Sequence, residues 1–135
     1  MAQETEIVSL LRSAQTIAIV GLSANPDRPS YGVASYLQRK GYRIIPVNPL
    51  LHEPVLGEEP YPNLTELPLP VDIVQIFRRP EYVPDIVTAA IAIRARAIWM
   101  QLGVIHHEAA AMARAAGLTV IMDRCMAVDH RMLLG

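Results

Sequence analysis

Five short apolar runs, rich in β-branched residues, are separated along this chain by segments of turn or helix pattern. The runs cover residues 16–21, 43–47, 71–77, 97–102 and 118–122. Each is nearly continuous in hydrophobicity, without the alternation of a half-exposed strand, so each reads as a strand buried on both faces. Amphipathic stretches at 3–14, 31–40, 81–93 and 106–116 read as helices. Ile7, Leu10 and Leu11 share one side of the first, and Val83, Ile86, Val87, Ala90 and Ile91 share one face of the third. Gly41 and Gly117 follow two of these stretches as helix stops. Apolar strands alternating with helices require a parallel sheet covered by helices on both faces. Only 50–70 breaks the rhythm. It is rich in proline and turn residues, with a small Val55-Leu56-Gly57-Glu58-Glu59 element and a short helix near 63–67. The tail, 123–135, is too short for a second domain, so 1–135 is expected to form one.

Composition narrows the partners. Half the 135 residues are hydrophobic and 19% are charged, the balance of a globular chain. A net charge of -1 gives no reason to expect a nucleic-acid or anionic-membrane partner. No apolar run is long enough to span a bilayer, and the acidic Met1-Ala2-Gln3-Glu4-Thr5-Glu6 start has no signal-peptide core. The single cysteine, Cys125, excludes an internal disulfide. These features together predict a cytoplasmic protein.

Ligands of a parallel sheet bind beyond the carboxyl ends of its strands. Those ends are Gly21-Leu22-Ser23, Asn48-Pro49, Phe77-Arg78-Arg79, Gln101-Leu102-Gly103 and Asp123-Arg124-Cys125. The first is the most informative. The run 16–20 passes through Gly21-Leu22-Ser23 and a turn-forming stretch, 24–29, into a helix starting near Ser30 or Tyr31. A helix N-terminus after a strand offers free N–H groups and a positive dipole end to phosphate. Ser23, Arg28 and Ser30 add side chains suited to phosphate oxygens. The alternative reading makes Ser30 an N-cap and Asp27–Arg28 a surface ion pair.

A nicotinamide dinucleotide is the first ligand to consider, and two features oppose it. The fingerprint G-x-G-x-x-G is absent, since Gly21 and Gly32 are eleven positions apart. The second strand ends in Val47-Asn48-Pro49, with no carboxylate for the ribose hydroxyls. A phosphate-binding G-K-[ST] loop is also missing.

The segments G-L-S-A-N-P-D-R-P-S-Y-G, I-P-V-N-P, V-L-G-E, Y-P-N-L, V-D-I-V, F-R-R-P, I-W-M-Q-L-G and M-D-R-C occur in that order. In this series the chain resembles the small CoA-binding domain proteins over about residues 5–130. Those proteins resemble the N-terminal CoA-binding domain of the succinyl-CoA synthetase alpha subunit. The resemblance implies a Rossmann-like, three-layer α/β/α fold around a mostly parallel five-stranded sheet, and coenzyme A as ligand. It implies no reaction. By the same comparison Gly21, Leu22 and Ser23 match the turn that approaches the CoA diphosphate. Arg28 and Ser30 match phosphate contacts, and the adjoining Tyr31 is included with them. Asn48 and Pro49 match the adenosine side, and Phe77, Arg78 and Arg79 the strand end along which the nucleotide or pantetheine lies. Gln101 and Leu102 match positions nearer the pantetheine arm. One departure stands out: the synthetase domain has a lysine shortly after its second strand, where this chain has Leu50-Leu51-His52. Arg28, Arg78 or Arg79 must then supply the charge.

Other clusters read as structural. His106-His107-Glu108 looks like a metal or acid/base group, but adjacent helix positions do not share a face, and a helix start explains the three. Cys125 with His130 lacks the partners of a closed zinc site. Arg124 is expected to pair with Asp123 and order the tail. Cys125 reads as a small buried hydrophobe; the alternative is a mixed disulfide with the CoA thiol. Trp99 and Met100 are core residues. No nucleophile–base pair has the spacing of a catalytic unit, and the synthetase's phosphohistidine belongs to a domain outside the matched region. The expectation is therefore non-catalytic binding of CoA or an acyl-CoA, with no catalytic or metal-binding residues assigned. An NAD(P)-dependent oxidoreductase and a subunit of a split acyl-CoA ligase are the alternatives. A regulatory module reporting CoA status is a third possibility, to be favoured by an exposed apolar patch on the third or fourth helix.

Overall fold

The computed structural model describes residues 2–135. Its strands are β1 (Thr16–Val20), β2 (Arg43–Val47), β3 (Ile73–Ile76), β4 (Ala97–Met100) and β5 (Thr119–Met122). Its α-helices are α1 (Ala2–Ser13), α2 (Pro29–Arg39), α3 (Val83–Ala92), α4 (His107–Ala115) and α5 (Met126–Leu134). Short 3-10 turns occupy Leu64–Glu66 and Pro80–Tyr82.

All four strand pairings are parallel, in the order β2-β1-β3-β4-β5. This is the expected Rossmann-like three-layer fold with a five-stranded sheet. The reason is visible in the strands, whose interiors are buried on both faces, Ile17, Ala18, Ile19, Ile73, Val74 and Trp99 completely. One face packs under α1, α2 and α5 through Ile7, Leu11, Leu37 and Met126. The other packs under α3 and α4, through Val83, Val87, Ala110 and Ala113, and under the 3-10 turn at Leu64. The long connection from β2 to β3 thus covers with loop what a helix would otherwise cover. Trp99 and Met100 are core residues, as expected.

Register decides where the site falls. Val20 pairs with Val47 on one side and Ile76 on the other, so β1, β2 and β3 end level. The chain reverses its winding between β1 and β3, and that switch point opens a crevice beyond the strand ends.

Local details correct several expectations. α2 begins at Pro29, with Arg28 as its N-cap in extended conformation and no side-chain cap. Ser30 is therefore the second residue of the helix, because proline suits the first helical position and draws the start back. Gly41 is the stop expected of it, its N–H bonding Gln38 O while the Tyr42 N–H reaches Leu37 O. The tail is helical over most of its length. Its inner face includes Asp129 and His130 beside Met126 and Ala127, which hides the apolar period. Arg124 pairs with Asp129, at 2.7 and 2.8 Å, and not with Asp123. Asp123 instead accepts the Gly103 N–H at 2.7 Å. His106 is the N-cap of α4, its Nδ1 accepting the Ala109 N–H at 3.0 Å. Among the described residues no helix is long and apolar enough to cross a membrane.

Candidate functional site

The site begins with a glycine that nothing else can replace. Gly21 follows β1 with φ +89°, and a Cβ there would run into the Phe77 carbonyl oxygen and stand 3.0 Å from Arg78 Cδ. The ends of β1 and β3 approach each other only because that atom is missing. The Gly21 N–H meanwhile bonds Val47 O at 2.9 Å, tying the turn to β2.

Beyond Gly21 the loop builds itself from side-chain acceptors. Ser30 Oγ accepts the Ser23 N–H at 3.0 Å, Ser23 Oγ the Asn25 N–H at 3.0 Å, and Asn25 Oδ1 the Asp27 N–H at 2.9 Å. These short-range bonds are the turn chemistry that Asn, Asp and Ser favour. In both serines the oxygen is used as an acceptor, while the O–H has no acceptor among the described residues and is free to donate. The Ser30 N–H at the start of α2 is also without an acceptor among them.

Gly21, Ser23, Arg28, Pro29, Ser30 and Phe77 line an open cleft of about 370 Å³. It faces the N-terminus of α2, whose first turn carries no acidic residue and whose N-cap is the exposed Arg28. Cation, dipole and hydroxyl donors all point to the same ligand chemistry, an anion with several oxygens.

A second cleft lies beside the first, on the α3 face. It measures about 250 Å³ and is lined by Val20, Val47, Pro49, Pro62, Asn63, Leu64, Arg78, Asp85, Ile86 and Ala89. Seven of these ten are apolar, so the slot can take an apolar group, with Asn63, Arg78 and Asp85 as its polar residues. Arg78 lines the slot, and its Cδ lies 3.0 Å from where a Gly21 Cβ would stand, so its stem runs between the two spaces. Its guanidinium carbon lies 4.2 Å from the Tyr82 ring centroid, a cation–π contact that fixes its direction.

The remaining candidates fall outside these linings. Leu22 is fully buried and takes part through its backbone. Asn48 is a brace, its Nδ2 donating to Leu22 O at 3.1 Å and its Oδ1 accepting the Leu50 N–H. Tyr31 is half-buried, and Arg79 is exposed ahead of the Pro80–Tyr82 turn. Gln101 is buried, its Oε1 accepting Gln75 Nε2 at 3.0 Å and the Met126 N–H at 3.4 Å. Leu102, at the same strand end, is 67% exposed. Most of the slot lining escaped the sequence reading. Pro49 and Arg78 were named there, and Y-P-N-L held Pro62, Asn63 and Leu64, which form one wall.

The chain is similar to known proteins over nearly its whole length. The profile of the CoA binding domain family matches residues 15–131. The uncharacterized protein YneT of Bacillus subtilis is 42% identical over 127 residues, 94% of this chain and 93% of that protein. A hypothetical protein from Pyrococcus horikoshii superposes with a TM-score of 0.94 at 36% identity, covering 98% of this chain and 92% of that one. The dinucleotide forming acetyl-coenzyme A synthetase 1 of Ca. Korarchaeum cryptofilum shares the fold, with a TM-score of 0.69 at 20% identity, over 81% of this chain and 26% of the synthetase. By sequence and by fold, the chain belongs to the CoA binding domain family.

Proposed function

We propose that this chain binds coenzyme A or an acyl-CoA without acting on it chemically, residues 1–135 serving as one binding unit. The diphosphate lies over Gly21–Ser23 and the N-terminus of α2, contacted by the hydroxyls of Ser23 and Ser30 and by the Arg28 guanidinium. The adenine fills the apolar slot between Pro49, Leu64 and Ile86, and Arg78 reaches the phosphates from between the two spaces. The pantetheine arm then runs past Phe77 toward the end of β4, where Leu102 is exposed.

The observation that carries this reading is the N-terminus of α2. A helix of this length ordinarily begins at Ser, Thr, Asp or Asn, and this one begins at an arginine with no side-chain cap. A cation at the positive end of a helix disfavours the helix by about 0.3–1 kcal/mol. The arrangement becomes favourable when a polyanion sits between the two. Among the described residues the Ser23 and Ser30 oxygens accept only backbone N–H groups, so the reading gives both serines to binding.

The test is residue-resolved. A 15N NMR titration of the full chain with CoA should move the amide signals of Gly21, Ser23, Ser30, Val47 and Ala89 first. Shifts confined to the amino ends of the strands, around Gln15 and Arg96, would contradict the assignment.

A further inference from the structure

The slot has few polar groups, and two of its three are already committed. Asn63 Nδ2 donates to Glu66 Oε2 at 2.9 Å, and its Oδ1 accepts the Thr65 hydroxyl at 2.6 Å, so its amide serves its own turn. Arg78 is held with its guanidinium over the Tyr82 ring. Asp85 is what remains. It sits in the first turn of α3, one residue before Ile86, which also lines the slot. It makes no ion pair among the described residues.

We propose that the Asp85 carboxylate selects the base, accepting a hydrogen bond from the exocyclic amino group of adenine. This rests on the reading that the slot holds the adenine of CoA. The chemistry follows from the hydrogen-bond inventory. An ionised carboxylate is acceptor-only, so it pairs with an amino group and repels a ring carbonyl. Adenine presents an amino group at its six position, whereas hypoxanthine and guanine present a carbonyl oxygen there. A slot walled by valine, leucine, isoleucine and proline takes all three by stacking, and cannot tell them apart by shape. A carboxylate set against the six position can, because it accepts from the amino group of adenine and meets a carbonyl oxygen in the other two.

The experiment measures affinity for CoA and for its deaminated analogue, in which hypoxanthine replaces adenine. Wild type and Asp85→Asn are compared as full chains. Wild type should prefer CoA by about tenfold or more, the effect of one charge-assisted hydrogen bond. In Asp85→Asn the preference should collapse to within about threefold, because a side-chain amide can turn either its oxygen or its NH2 toward the base. Equal binding of both ligands by wild type would overturn the proposal, as would an unchanged preference in the variant. If wild type binds neither ligand, the CoA reading itself falls and takes this inference with it. Asp85 is exposed and the amide has the same shape, so the variant should fold, which its circular dichroism spectrum checks.

Discussion

Arg28 stands where helix stability alone would place a serine or an aspartate. That conflict makes a two-sided prediction. Arg28→Ser should supply the missing cap and raise stability by up to about 1 kcal/mol in urea unfolding. The same change should weaken CoA binding by about 1–3 kcal/mol, the usual loss for a hydrogen bond to a charged group. Equal or tighter binding by the variant would remove Arg28 from the phosphate site. Gly21 carries the opposite expectation. Gly21→Ala places a side chain at φ +89° and against the Phe77 carbonyl, so it should destabilise the fold by at least about 1–2 kcal/mol. Thermal unfolding measures it, and a wild-type melting temperature would contradict the close approach of β1 and β3. That Gly21, Ser23, Arg28 and Ser30 share one cleft was legible, because the order strand, turn, helix brings them together, and Phe77 joins them from the end of β3. The bonds of Gln101 to Gln75 and to the start of α5 were not legible, because a strand-end glutamine looks the same in sequence whatever it faces.

The helices show which element features a sequence reveals. α2 and α3 end in the same way, the first residue past the cap lying in the left-handed region. In α2 that residue is Gly41, and the stop is legible. In α3 it is Arg94, at φ +61°, and no glycine marks the end. Arg94→Gly should therefore stabilise the chain by about 0.5–1 kcal/mol, the strain relieved less the added freedom of the unfolded chain. A destabilised variant would mean that Arg94 holds something by its side chain. α5 was not legible, since its inner face is half polar and depends on tertiary partners. Arg124 binds Asp129 through two N–H groups, while its carbonyl accepts the Trp99 indole N–H at 2.8 Å. Asp129 is buried, so Arg124→Ala leaves a carboxylate without its cation. The expected loss is about 1.5–3 kcal/mol in urea unfolding. Asp129→Asn should cost less, because the amide leaves no buried charge.

At the scale of the whole molecule the parallel sheet covered on both faces was the firmest expectation, since continuous apolar strands alternating with helices leave few alternatives. The apolar slot was the least legible, because its walls come from β1, β2, the 62–64 segment and α3, brought together only by folding. The packing of α2 against α5 has a pH signature. Burial, and then the charge of Lys40, push the His130 imidazole below the ordinary histidine range. The unfolded chain therefore takes up a proton at a pH where the folded chain does not. Stability should fall as pH drops through about 6.5, the ordinary histidine value, and hold steady just above it. His130→Gln should flatten that slope in denaturation midpoints measured between pH 5 and pH 8, and an unchanged slope would assign it to other groups.

The central claim concerns the ligand, and one measurement addresses it directly. Purified full-length protein is titrated by calorimetry with CoA, acetyl-CoA, NAD and NADP in parallel. Saturable binding of CoA and acetyl-CoA, with no heat from either nicotinamide cofactor, is the predicted result. Binding of NAD or NADP without CoA would contradict the account and turn the same cleft into a dehydrogenase site.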